Sequence, residues 1–148
     1  MASFHYSFQK IVDLKTSEKT QAEWVLSTAL SSLQEEEKSL HELREIKSDW
    51  ENKLQEASQT GMPLSDLRLI GDYIDHLQLR IEQKLKDVWQ AERKVEQNRS
   101  KLADKMKDEK VWLKAKDHAL DRFKQALQLK EQNELDEMAT VRFIMPTP

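Results

Sequence analysis

The side chains here with the means to do chemistry are four histidines and many carboxylates. His5, His41, His76 and His118 stand far apart, and no two lie at i and i+4. That helical spacing is what aims two imidazoles at one metal ion. Carboxylates abound, as in Glu35-Glu36-Glu37. General acid catalysis needs a carboxyl whose pKa is shifted by a pocket, and a run of three glutamates on a polar helix face offers none. The sequence contains no cysteine, so it has no disulfide framework, thiolate metal site or thiol nucleophile. This fits a reducing compartment. Neither G-x-x-x-x-G-K-[ST] nor G-x-G-x-x-G occurs, which leaves no glycine loop to cradle phosphates. The sequence reads as a non-enzyme with no cofactor and no metal.

The elements that carry these residues are helices. About a third of the chain is charged and aromatics are few, the composition of long helices and coiled coils. No apolar run approaches the roughly 18 residues of a membrane span, and Met1 to Phe8 lacks the pattern of a signal peptide. The expectation is therefore no direct membrane insertion. The slightly negative net charge, −3, argues against nucleic acid as the main partner. Basic residues gather between Arg93 and Lys116, but aromatics are not interleaved with them as base-stacking platforms. The cluster reads as a solvated face that complements the acidic first helix, or as a site for an acidic partner.

One stretch breaks the pattern, Gly61-Met62-Pro63. Gly61 can adopt the left-handed conformation that ends a helix, and Pro63 biases Met62 away from helical angles. Before the break, Val12, Lys19, Leu26, Leu33, Leu40, Lys47 and Leu54 form an a row, and Lys15, Ala22, Ala29, Glu36, Leu43, Trp50 and Ala57 a d row. After it, Leu67, Ile74, Ile81, Val88, Val95 and Leu102 form an a row with Ile70, Leu77, Lys84, Ala91 and Asn98 at d. Near Leu102 the apolar row steps by four to Met106, Leu113, Leu120 and Leu127, which predicts a stutter. Ser65 is expected to cap the second helix and Asp66 to favour its first turn. Gly71 lies inside that helix, either tolerated there or making room for Trp50.

The expected fold is all-α, a long antiparallel two-helix coiled-coil hairpin with the second helix overhanging. It is a single helical hairpin over 1–148: helix 1 at about 4–58, a turn at about 59–65, helix 2 at about 66–140 and a short tail at 141–148. Counting register from the break sets Trp50 against Tyr73, Ile11 against Trp112, residue 4 against about residue 119, and His5 near His118. The second helix then overshoots by about 20 residues, or ~30 Å. The overshoot carries Phe123, Leu127, Leu135 and Met138 as an apolar stripe without an internal partner, which reads as an interaction surface.

Several motifs, in this order, resemble the flagellar export protein FliJ family. They are Phe4-x-x-x-Phe8-Gln9-Lys10-Ile11-Val12-Asp13-Leu14-Lys15 with Glu18-Lys19 and Ala22, then Tyr73-Ile74-x-x-Leu77-x-x-x-Ile81, then Glu131 to Ala139 followed by Arg142-Phe143. The resemblance implies a cytoplasmic component of the flagellar type III export apparatus, peripherally associated with the inner membrane at the flagellar base. It would bind the hexameric flagellar export ATPase as a central stalk and stimulate it. It would also contact the cytoplasmic domain of the export gate protein and escort export chaperones. The positions matching the family's gate-binding face are Leu43, Ile46, Trp50, Tyr73, Leu77, Arg80 and Lys84, of which Arg80 and Lys84 depart from the family pattern. The helix ends that would enter the ATPase ring carry Phe8, Ile11, Leu14, Phe123, Leu127, Leu135 and Met138. The alternatives are a generic structural or scaffolding coiled coil, a basic helical nucleic-acid binder, and the equivalent stalk of a virulence-type secretion system.

Overall fold

A computed structural model describes residues 3–144. Two helices account for nearly all of it, α1 over Gln9–Thr60 and α2 over Leu64–Ile144. They pack against each other as an antiparallel hairpin, and no strand occurs among the described residues. By contact density the chain divides into two units. One comprises residues up to Thr20 with those from Asp104 onward, and the other is Gln21–Ala103.

The turn between the helices is short because its chemistry is local. Gly61 sits at φ 84°, the left-handed region open to a residue without Cβ. The Met62 N–H then donates back to the Ala57 carbonyl at 3.2 Å, the bond that closes a Schellman motif. The Pro63 carbonyl accepts from the N–H groups of Asp66 and Leu67, both at 3.1 Å. Pro63 therefore takes the capping place expected of Ser65, which falls inside the first turn of a helix that begins at Leu64. Proline suits a place that needs no N–H. Asp66 lies in the first turn as expected, and α2 continues beyond residue 140 to Ile144.

In Gln21–Ala103 the heptad rows become the seam. Every a and d residue there is buried or half-buried. The centre of the seam is Leu40, Leu43, Leu77, Ile81 and Val88, flanked by Leu33 and Trp50. Leu77 is the most enclosed at 1 % exposure. Burying one such side chain stabilises the fold by roughly 1.5–3 kcal/mol. Lys84 and Lys47, polar interruptions in the seam, find partners across it. The Lys84 ammonium donates to Glu36 at 2.9 Å, and that of Lys47 to Gln78 at 2.6 Å.

The unit that holds the chain ends follows the same logic, and here two expectations fail. The heptad does not step at Leu102. It runs on through Lys105, Glu109, Trp112, Lys116, Ala119 and Phe123, all half-buried, while in the expected new row Met106 and Leu113 are exposed and only Leu120 and Leu127 are half-buried. The charges at 105 and 109 are matched from α1, Lys105 with Glu18 at 3.2 Å and Glu109 with Lys19 at 3.2 Å. Ion pairing holds the register where hydrophobicity alone points to the neighbouring row. The second failure is at the first turn. The helix begins at Gln9, whose N–H donates to the Tyr6 carbonyl, and not near residue 4. Residues outside a helix advance up to ~3.3 Å each, against 1.5 Å inside one. Trp112 meets Phe8, at a centroid separation of 6.0 Å. Phe4 reaches Phe123 at 5.5 Å, four residues beyond the expected partner.

Gly71 does not make room for Trp50, since a Cβ built on it meets nothing within 4 Å. Gly71→Ala is therefore expected to raise the unfolding free energy by about 0.5–1 kcal/mol, read from urea denaturation followed by helical circular dichroism. The Glu36–Lys84 pair supplies a second expectation. Glu36→Lys faces two ammonium groups across the seam and should cost about 1–2 kcal/mol, with the double exchange Glu36→Lys, Lys84→Glu recovering most of the loss. An unchanged urea midpoint in the single variant would show that the pair does not hold the register.

Candidate functional site

Near the turn, the seven residues expected to meet an export gate divide by heptad position. Leu43 and Leu77 are seam residues at 7 % and 1 % exposure. They support a surface but cannot touch a partner while the helices are paired. Lys84 is committed to Glu36, and that hydrogen bond, reinforced by the charges of Glu36 and Asp87, holds its pKa above the ordinary lysine value against the opposing effect of burial. Trp50 is half-buried, its ring edge-on to Tyr73 at 5.3 Å and 73°. Ile46, Tyr73 and Arg80 remain exposed. All three occupy g positions, and in an antiparallel pair the g rows of both helices border the same side of the seam.

Two residues that the sequence reading passed over join this side. The Lys53 ammonium sits 4.6 Å from the centroid of the Trp50 ring, and His76 lies 6.5 Å from Tyr73. The signal was present, because each stands three residues beyond an aromatic on the same helix. The assembled surface is an aromatic pair with a cation over one ring. It suits a partner that offers apolar contact and acceptors, and it has no arrangement for bond-making chemistry.

At the chain ends, the seven expected ring-binding residues also divide. Phe4, Tyr6 and Phe8 form a run of rings at 6.3 and 5.8 Å. Phe4 covers Phe123 and Phe8 covers Trp112, so Phe123 is not unpaired as expected. Ile11 and Leu127 are half-buried, whereas Phe8, Leu14, Leu135 and Met138 are 50 % exposed or more. Beyond Phe123 the heptad positions carry Ala126, Lys130, Asn133 and Glu137, so the apolar seam stops there. The remaining apolar side chains lie on a different face. Leu135, Met138 and Phe143, with Ala139 and Arg142, border an open groove. This stripe is rotated away from the seam and does not continue it.

His5 and His118 line one open groove with Asp121, as the register expected. Among the described residues, no three histidines or carboxylates gather so as to hold a metal ion. Among the described residues, no helix is long and apolar enough to cross a membrane.

A two-helix antiparallel coiled coil with one helix running past the other defines the class of this protein. The family described as Flagellar FliJ protein matches it over residues 4–147, and the chain belongs to that family. Among solved structures it is similar to CT670 of Chlamydia trachomatis, described as a YscO homolog. The two are 20 % identical, with 95 % of this chain and 96 % of that one covered at a TM-score of 0.59, a likeness of fold. No curated protein matches.

The electrostatics of the end unit lead to a pH dependence. A hydrogen bond from Thr16, then the hydrogen bond and charge of Lys19, hold Glu109 below the ordinary glutamate pKa against the opposing effect of burial. A depressed carboxyl stabilises the fold above its unfolded pKa, about 4.3, and that stabilisation is lost as pH falls through the lower folded value. Glu109→Gln should therefore lower the urea midpoint at neutral pH. The deficit should shrink towards zero as the pH is taken below about 4.3. A deficit of constant size would show that charge is not its source.

Proposed function

We propose that this protein is a component of the flagellar type III export apparatus, binding the hexameric export ATPase as a central stalk through its helix ends and the export gate through its turn-proximal side. The observation that carries this reading is the stripe of Leu135, Met138 and Phe143, exposed at 65 %, 59 % and 92 %. Apolar residues continue at helical spacing past the point where α1 can cover them, on a face turned away from the seam. A partner that surrounds or flanks the last turns of α2 accounts for both facts. Membership of a flagellar family favours the flagellar apparatus over the equivalent stalk of a virulence-type system.

Stimulation has a physical route. Two helices cannot match six identical subunits at once, so their contacts with a ring are unequal. Unequal contacts bias subunits towards different states, because a ligand shifts a conformational equilibrium only through its differential affinity. The stalk needs no catalytic group for this. The gate would be met by Ile46, Tyr73 and the edge of Trp50, with Arg80 and Lys53 around them, while Leu43, Leu77 and Lys84 hold those residues in place. On this reading the protein works in the cytoplasm at the inner face of the flagellar base, and export chaperones are further partners.

The two surfaces are separable by experiment. Ending the chain after Lys130 removes, among the described residues, only exposed side chains over 131–143, so the thermal melt should be nearly unchanged while stimulation of the ATPase is lost. Stimulation at the full-length level would overturn the ring assignment. Ile46→Ala with Tyr73→Ala alters two half-exposed side chains and spares Trp50, which packs on the seam. Affinity for the gate domain should fall by tenfold or more with stimulation retained. Unaltered gate affinity would remove the turn-proximal side from the proposal.

A further inference from the structure

Within Gln21–Ala103, the side that carries Ile46 and Tyr73 also bears a groove that neither proposed contact uses. Its floor is made by Ala29 and Ala91, d residues too small to fill the space above the seam. One wall is Trp24 and Val25, the other runs from Asp87 to Lys94. Trp24 is 75 % exposed and Val25 49 %. Trp24 stands at an f position, the outermost of the heptad, where a coiled coil ordinarily places a charged or polar side chain. No seam contact accounts for an indole there, and tryptophan is the residue type most enriched among the energetic centres of interfaces.

The dimensions and charges of the groove describe its occupant. The lining on α1 extends from Trp24 to Glu36, about 18 Å at 1.5 Å per residue, or roughly three helical turns. A floor of alanines beside an aliphatic and aromatic wall fits bulky aliphatic residues at i, i+3/i+4 and i+7. Glu36 and Asp87 share one ammonium, that of Lys84 at 2.9 and 3.8 Å, which leaves that end of the groove net negative; Lys94, about two turns along from Asp87, makes the other end positive, so the visitor needs a basic group at one end and an acidic group at the other. We infer that this groove receives an amphipathic helix of about three turns from another protein, with an aliphatic stripe and oppositely charged ends, making a local three-helix bundle with α1 and α2. A contact of only about three helical turns lies at the small end of specific interfaces and is weak and exchangeable, suited to a passing partner.

The test uses the full chain labelled with nitrogen-15. The four indole N–H signals are assigned by single tryptophan substitutions, Trp24 by Trp24→Ala. The probe is a blocked 14-residue helical peptide with leucines at the spacing above, lysine at one end and glutamate at the other. A saturable shift of the Trp24 signal is expected in the high-micromolar range. Trp112 should stay still, and a peptide with serine for leucine should have no effect. Val25→Glu, a change at an exposed wall position, should weaken binding by tenfold or more while leaving the melt intact. The inference is overturned if Trp24 does not respond up to millimolar peptide, if all indoles shift alike, or if Val25→Glu binds as well as the parent. A response to anionic lipid vesicles but not to the peptide would also overturn it, marking the groove as a membrane contact.

Discussion

The arrangement depends on charges placed inside an apolar seam. A pure leucine seam is nearly indifferent to sliding by one heptad, because each layer resembles the next. The seam here is not indifferent. If α2 moved one heptad in either direction, Glu36 would face Ala91 or Leu77 in place of Lys84, and Lys84 would face Leu43 or Ala29. Lys19, now on Glu109, would face Lys116 or Leu102. Each pair is individually a weak stabiliser where it stands, but a half-buried charge without its partner costs more than the pair contributes. Polar residues at a positions are known to specify register at a cost in stability. The side proposed near the turn is a composite of both helices, and it exists in only one register.

Much of this was legible in the sequence. The a and d rows of α1, the break at Gly61 and the pairing of Trp50 with Tyr73 follow from periodicity and turn chemistry, because hydrophobic spacing is the dominant signal in a chain with little else to bury. What escaped has a common cause. The apparent stutter at Met106 arose from weighing residues by hydrophobicity, which cannot see that Lys105 and Glu109 are neutralised from the other helix. Phe4 and Phe8 both fit a helical spacing, which leaves the start of α1 open between them, and their rings pack from backbone that precedes Gln9. The division of each candidate surface into touching and supporting residues needed burial, which a family motif does not encode. Leu77 matches such a motif and is the most enclosed side chain of the described chain.

The two candidate surfaces differ in kind. The side near the turn is built from residues fixed by the seam on both helices, with Trp50 and Tyr73 bracing each other, so it is ready before any partner arrives. The stripe on the last turns of α2 belongs to a single helix with no neighbour, and a lone helix of that length is marginal in water. Its partner would supply part of the order. This difference suits one contact that must be specific and another that must tolerate changing geometry.

The short turn at Gly61 also dictates an order of assembly. Contacts across the seam join residues 31 apart for Lys47 and Gln78, 48 apart for Lys84 and Glu36, and 87 apart for Lys105 and Glu18. Loop-closure entropy rises with separation, so pairs next to the turn close most cheaply and each closed layer shortens the loop for the next. The chain is thereby disposed to zip from Gly61 outward, and to open in reverse. The aromatic run at Phe4 to Phe8 is the last layer to lock and the first to release, which makes the end proposed to meet a ring the softest part of the paired seam and the turn its hardest.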